Sequence, residues 1–210
     1  MAHASGRQGQ STPSFLVTAL VLSIGWGQMA CIGPASAQSV EREGAAAAAQ
    51  YDEGVQRMEQ GDYRAAFEIY DGLIARYPGR AVLHFQRGLV RDRLGEHQAA
   101  IADFDEGLRL SPDDAKGYYA RARAYVALRD SQRMVEDLDR ALQLFAPDAP
   151  ELPTAYQLRG IGRSIAGDQQ GAVEDMRMAV ELLMARGDVA GAERARQRLG
   201  RLETDPAEAQ

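Results

Sequence analysis

The 210-residue sequence has very little of the chemistry on which catalytic and metal sites depend. It holds one cysteine, three histidines and no asparagine. One cysteine forms no internal disulfide, and this supply does not build a four-ligand zinc site unless carboxylates complete it. No nucleophile, base and orienting residue stand out as a set. We therefore expect no enzyme, no catalytic residue and no bound metal or cofactor, and the missing asparagine excludes N-linked glycosylation.

Positive charge is also scarce. The chain has 24 Lys and Arg against 30 Asp and Glu, for a net charge of −6. This balance offers no general attraction for nucleic acid or for an anionic membrane surface. A content of 45% hydrophobic and 26% charged residues excludes a disordered polymer. The composition therefore indicates a folded protein that does not act on nucleic acid.

The N-terminal segment has the pattern of a secretory signal peptide. Residues 15–24 form an uncharged, mostly apolar run, and Ala35-Ser36-Ala37 supplies a small-x-small cleavage sequence. The run falls short of the roughly 20 residues that a membrane span needs. We expect cleavage near Ala37 and a periplasmic or secreted mature protein, in the periplasm of a Gram-negative bacterium if it is retained.

Cys31 keeps a second interpretation of this segment open. It resembles the lipidated cysteine of bacterial lipoproteins, although Gln28-Met29-Ala30 lacks the aliphatic residue that this pattern places three before the cysteine. In this alternative the protein is a lipid-anchored envelope assembly factor. Contact with a membrane is expected only if Cys31 is lipidated.

Beyond residue 46 the sequence repeats with a period of 34, which lengthens to 38 before the last unit. Matching positions hold a small residue in Gly54, Gly88, Ala122 and Gly160, and a bulky one in Tyr70, Phe104, Leu138 and Met176. Apolar residues recur at helical spacing on both sides of a Gly-Asp or Gly-Glu turn. The pattern predicts helix pairs that bury a continuous core by stacking. The third unit departs most, with Arg129 in place of the turn glycine.

Helix pairs of this length, with small positions, a glycine turn and a closing proline at Pro78 and Pro112, resemble tetratricopeptide repeats. The resemblance implies an all-α, right-handed superhelix (α-solenoid) of about four 34-residue helix-turn-helix repeats plus a C-terminal capping helix. The predicted parts are a signal peptide (1–37), a linker (38–46), a repeat domain (47–186; units 47–80, 81–114, 115–152 and 153–186), a capping helix (187–202) and a tail (203–210).

Three of the four units also contain a pair of oppositely charged residues at matching repeat positions. Units two to four carry an arginine and, sixteen residues later, an aspartate, whereas unit one has Glu53 and Ile69 in these places. The pairs are Arg87 and Asp103, Arg121 and Asp137, and Arg159 and Asp175. Their joint presence and joint absence predicts a bidentate pair that joins the two helices of a unit. We expect a structural role for it rather than ligand contact.

The resemblance also implies that the first helix of each unit lines an inner groove, with positions five and nine facing it. These are Tyr51, Val55, Phe85, Leu89, Tyr119 and Arg123, followed by Gln157 and Ile161 in unit four. Three successive aromatics can anchor an extended or helical segment of another protein. They can equally pack against residues 38–49 or against one another.

The sequence thus predicts an exported protein–protein interaction scaffold that binds a partner segment in its groove. The family's carboxylate clamp is not supported, because Lys116 is the only lysine and asparagine is absent. A small-ligand-binding or enzymatic protein that uses the surface near Tyr119 and Arg123 is the alternative from another class. The pattern leaves the oligomeric state open.

Overall fold

The computed structural model describes residues 34–204, and within this range the chain forms nine α-helices and no strand. The helices are α1 (Pro34–Glu59), α2 (Tyr63–Arg76), α3 (Ala81–Arg93), α4 (His97–Leu110), α5 (Ala115–Ala127), α6 (Ser131–Leu144), α7 (Leu152–Ile165), α8 (Gln169–Ala185) and α9 (Val189–Thr204). Each helix packs mainly on the helices before and after it in the chain. This arrangement confirms the all-α solenoid of four helix pairs and a final helix.

The core between helices follows the small and bulky positions of the repeat. Tyr70, Phe104, Leu138 and Met176 are almost fully buried on the second helices of the four units. Gly54 and Gly88 lie directly against the rings of Tyr70 and Phe104. The small residue lets the two helix axes approach, so the bulky side chain fills the space without a gap.

The turn inside each unit combines a left-handed residue with an aspartate cap. Gly61, Gly95 and Gly167 have φ near +80°. In units one, three and four the next residue is Asp62, Asp130 or Asp168, whose carboxylate accepts a bond from a backbone N–H of the following helix. Unit three alone holds a side chain in the left-handed position, since Arg129 has φ 56°.

Replacing Arg129 with glycine is expected to stabilise the protein by about 1 kcal/mol. A residue with a Cβ is strained in the left-handed region, whereas glycine adopts it freely, as three of the four turns do. The gain will appear as a higher urea midpoint for Arg129→Gly. Arg129→Ala provides the control, because it removes the guanidinium and keeps the strain. A glycine variant no more stable than the alanine variant would show that strain at this turn is negligible.

The two ends of the array differ from the predicted boundaries. Residues 38–46, which the sequence placed in a linker, continue α1 as regular helix. Glu203, which it placed in the tail, belongs to α9 and accepts a hydrogen bond from Arg177 at 2.6 Å. Residues 1–33 and 205–210 lie outside the described range. Lipidation of Cys31 and cleavage near Ala37 stay predictions.

Helix α9 covers the last repeat in the manner of a cap. Ala192, Ala195 and Leu202 are buried against Met176 and neighbouring apolar residues of α8. The Gln169 side chain donates a hydrogen bond to the Leu202 carbonyl at 2.8 Å, which fixes the register of the two helices. Among the helices of residues 34–204, none has both the length and the apolar character to cross a membrane.

Candidate functional site

The structure brings together the predicted arginine and aspartate of each unit. Arg121 donates from Nε and Nη2 to the two carboxylate oxygens of Asp137, at 2.8 and 2.6 Å. Arg159 makes the same bidentate contact with Asp175 at 2.9 and 2.5 Å. Arg87 reaches Asp103 in the same way. The guanidinium thus joins the first and second helices within each of these units.

Each arginine also reaches back to the preceding unit, which the sequence analysis missed. Its Nη1 atom donates to a second aspartate at 2.5–2.7 Å. These outer aspartates are Asp71, Asp105 and Asp139, and they are themselves 34 residues apart. That spacing was the available signal. We call the nine residues the Arg–Asp ladder, because they link unit to unit along the array.

The ladder leaves no open positive charge for a ligand. The arginine side chains are 15–19% exposed and each faces two carboxylates. Burial by itself lowers the pKa of Arg121, but the bonds to Asp137 and Asp105 outweigh it and raise the pKa above its ordinary value. The cation is therefore fixed and neutralised inside the fold, as a structural role requires.

The three groove aromatics are half-buried and engaged within the chain. The Tyr51 hydroxyl accepts a hydrogen bond from Gln86 at 2.7 Å, and its ring meets Tyr70 edge-on at 5.9 Å. Tyr119 meets Phe145 edge-on at 6.1 Å. Burial raises the pKa of both tyrosines. The contacts that the structure shows for Tyr51 and Tyr119 are within the chain. Their role in binding a partner stays a prediction.

Phe85 packs against two glycines. Its ring lies over Gly107 of α4 and Gly117 of α5, where an added Cβ would come within 2.4 and 2.7 Å of it. The ring therefore fills the junction between units two and three. Among the other predicted groove residues, Val55 and Leu89 are half-buried and Arg123 is exposed.

An open apolar cavity of about 430 Å³ lies between units three and four. We call it the junction pocket. It is lined mainly by Val126, Arg129, Met134, Leu158, Ile161 and Ile165. Val126 and Ile165 are 46% and 50% exposed. The pocket lies beside the Arg129 turn of unit three and the second half of α7, and of its lining only Ile161 belonged to the groove positions read from the sequence.

The rim of the junction pocket carries an unbalanced charge. Asp130 is occupied, since it caps α6 and accepts from Arg133 Nε at 2.7 Å. The side chain of the exposed Arg129 makes no hydrogen bond or ion pair in the part of the chain that the structure describes, whereas its backbone N–H donates to the Val126 carbonyl at 3.1 Å. Arg123, one turn before Val126 on α5, is likewise exposed. The site thus combines an apolar lining with the guanidinium of Arg129, and Arg123 is a second exposed cation near it on α5.

The positions of the metal-ligating residue types and the histidines in the described chain bear on metal and catalytic chemistry. Across residues 34–204, no three His, Cys, Asp or Glu side chains lie together in a geometry that could hold a metal ion. His97 contacts Asp92 at 2.8 Å within unit two, and His84 of unit two contacts the Pro78 carbonyl of unit one at 2.8 Å, so both of these histidines have partners within the fold. The junction pocket is therefore the candidate functional site.

Stacked helix pairs with a covered C-terminal end define an α-solenoid of helical repeats. The sequence model of the tetratricopeptide repeat matches residues 81–114 and 115–147, which are the whole second unit and most of the third. None of the curated proteins gives a significant match to the chain.

Solved structures with similar folds include MamA from Desulfovibrio magneticus RS-1, with a TM-score of 0.60, 18% identity, and coverage of 75% of this chain and 94% of that one. The first TPR of Spaghetti (RPAP3), bound to the HSP90 peptide SRMEEVD, has a TM-score of 0.52 and 27% identity over 57% of this chain and 93% of its own. The TPR2B domain of yeast Sti1, in complex with an Hsp70 peptide, has a TM-score of 0.52 and 23% identity over 54% and 92%.

Proposed function

We propose that the protein is an exported interaction scaffold that holds a segment of another protein on the surface formed by the first helices of its repeats. The observation that carries the proposal is the junction pocket, where Val126 and Ile165 stay half-exposed while the bulky repeat residues are buried. Exposed apolar surface grouped in a concave site is typical of a binding site. The peptide complex of the similar Spaghetti domain supports a peptide segment as the partner.

Export is the second element of the proposal. Its support is the apolar run of residues 15–24 followed by Ala35-Ser36-Ala37. Mass spectrometry of the protein recovered from the envelope of its host will test it. A mature N-terminus at Gln38 supports a soluble exported scaffold, a lipidated Cys31 supports the anchored form, and an intact N-terminus refutes export.

Replacing Ile165 with aspartate is expected to lower retention of the partner more than tenfold. The change places a charge at the pocket mouth, where an apolar partner group would have to desolvate it. The full chain with a C-terminal tag will be cross-linked in its host and its bound proteins quantified. Circular dichroism will establish that the helical content is unchanged.

Met184→Asp is the matched control for this experiment. Met184 is 42% exposed on α8 and does not line the junction pocket. The Met184→Asp variant has the same new charge at a similarly exposed apolar position, so we expect this variant to retain the partner. Equal retention by the wild type and Ile165→Asp would refute binding at the pocket, and equal loss from both variants would refute its specificity.

A further inference from the structure

Arg129 has a strained, left-handed backbone conformation in a turn position that is otherwise occupied by glycine. Three of the four turns hold glycine with φ between 80° and 86°, whereas Arg129 adopts φ 56° at the equivalent place. Residues with strained backbones cluster at functional sites, so such a residue motivates a hypothesis of function. Within the described chain its guanidinium makes no hydrogen bond or ion pair, so internal stability does not account for it.

The position of the Arg129 side chain suggests a role in binding. Arg129 lines the junction pocket together with Val126, Ile161 and Ile165. The nearest acidic residue in sequence, Asp130, is held by Arg133 and by its cap on α6. An unpaired cation therefore stands beside apolar surface in a protein whose overall charge is −6.

We infer that the junction pocket binds a partner segment in which an apolar side chain lies beside a carboxylate, with the carboxylate held by Arg129. This inference rests on the proposed function and specifies the chemistry of its partner. A cavity of about 430 Å³ has room for a side chain of leucine or phenylalanine size. The planar guanidinium is the group best suited to bind a carboxylate through two parallel hydrogen bonds.

The overall charge makes this pairing selective. The net negative protein repels acidic segments in general, so their attraction must come from local cations. Arg129 at the rim and Arg123, one turn before Val126 on α5, supply them, because both are exposed. The ladder arginines are excluded from this role, since each already faces two aspartates.

Four short peptides test the inference on the full chain. They are acetylated, amidated hexapeptides with a central Leu-Asp, Leu-Ser, Leu-Arg or Ser-Asp between Gly and Ser residues. Titration into ¹⁵N-labelled protein is expected to shift the backbone signals of Val126, Arg129 and Ile165. The Leu-Asp peptide should bind about three- to fivefold more tightly than Leu-Ser, as a partly exposed ion pair allows.

The variant Arg129→Gly removes the guanidinium while it relaxes the turn, so loss of folding does not confuse the result. We expect it to abolish the preference for Leu-Asp over Leu-Ser and to keep the preference for Leu-Asp over Ser-Asp. Arg64→Gln is the charge control, because it removes an exposed arginine of α2 far along the chain from the pocket, and it should keep both preferences.

Three outcomes would overturn the inference. They are absence of binding by any peptide, equal binding of Leu-Asp and Leu-Arg by the wild type, and an acid preference that survives Arg129→Gly. A partner lost from Ile165→Asp would still support the scaffold function if the acid preference failed. Conversely, an acid preference removed by Arg129→Gly supports the inference even if Ile165→Asp retains the captured partner.

Discussion

Replacing Asp137 with alanine is expected to lower the free energy of unfolding by about 3 kcal/mol, because it leaves a partly buried arginine without its inner partner. The Asp137 side chain is 8% exposed and accepts two bonds from Arg121. Asp103 and Asp175 each also face a second arginine, Arg91 or Arg163. Asp137 bonds to Arg121 alone among the described residues, so its removal tests a single pair.

Asp105→Ala is the matched control, since it removes the other carboxylate of the same guanidinium. Asp105 is 55% exposed, so its bond to Arg121 competes with water and we expect a loss of at most about 1 kcal/mol. Urea unfolding followed by circular dichroism will compare the two variants. Equal losses from both, or no loss from Asp137→Ala, would contradict a structural role for the inner pair.

The repeat register made the ladder arginines and their partners within the same unit predictable, but it did not reveal the role of the outer aspartates. The pair of Arg121 and Asp137 was predictable because both charged residues stand at positions where packing favours an apolar side chain. Asp105 shares the same 34-residue spacing, but an exposed acidic residue on a helix is ordinary solvated surface. Only the three-dimensional stacking shows that Asp105 bridges to Arg121 of the next unit, because the repeat spacing does not give the distance between units.

The groove residues show a similar limit. Register places Phe85 at a position that faces the groove, yet it does not fix the direction of the ring. Gly107 on α4 of the same unit and Gly117 on α5 of the next unit lie under that ring. Two glycines on facing helices were a sequence signal for a bulky side chain between them. The junction pocket had no comparable signal, because its shape depends on how α5, α6 and α7 meet beside the Arg129 turn.

Replacing Gly88 with alanine is expected to lower the free energy of unfolding by about 2 kcal/mol, against the usual helix preference. Alanine stabilises an exposed helix interior by about 1 kcal/mol relative to glycine. At Gly88, however, the new Cβ would lie 2.6 Å from Cε1 of Phe104, a ring that is fully buried and has no open space into which to turn. Overpacking of this kind forces the helices apart.

Gly72→Ala makes the same chemical change in the interior of α2, where no atom lies within 4 Å of the new Cβ. Only the helix preference acts there, so we expect a gain of about 0.5–1 kcal/mol. Urea midpoints of the two variants should therefore move in opposite directions. A gain at both positions would mean that helices α3 and α4 separate at little cost, and the close approach at Gly88 would not then explain the repeated small residue. A loss at Gly88 alone ties that residue to the contact with Phe104 on which the stacking of the second unit depends.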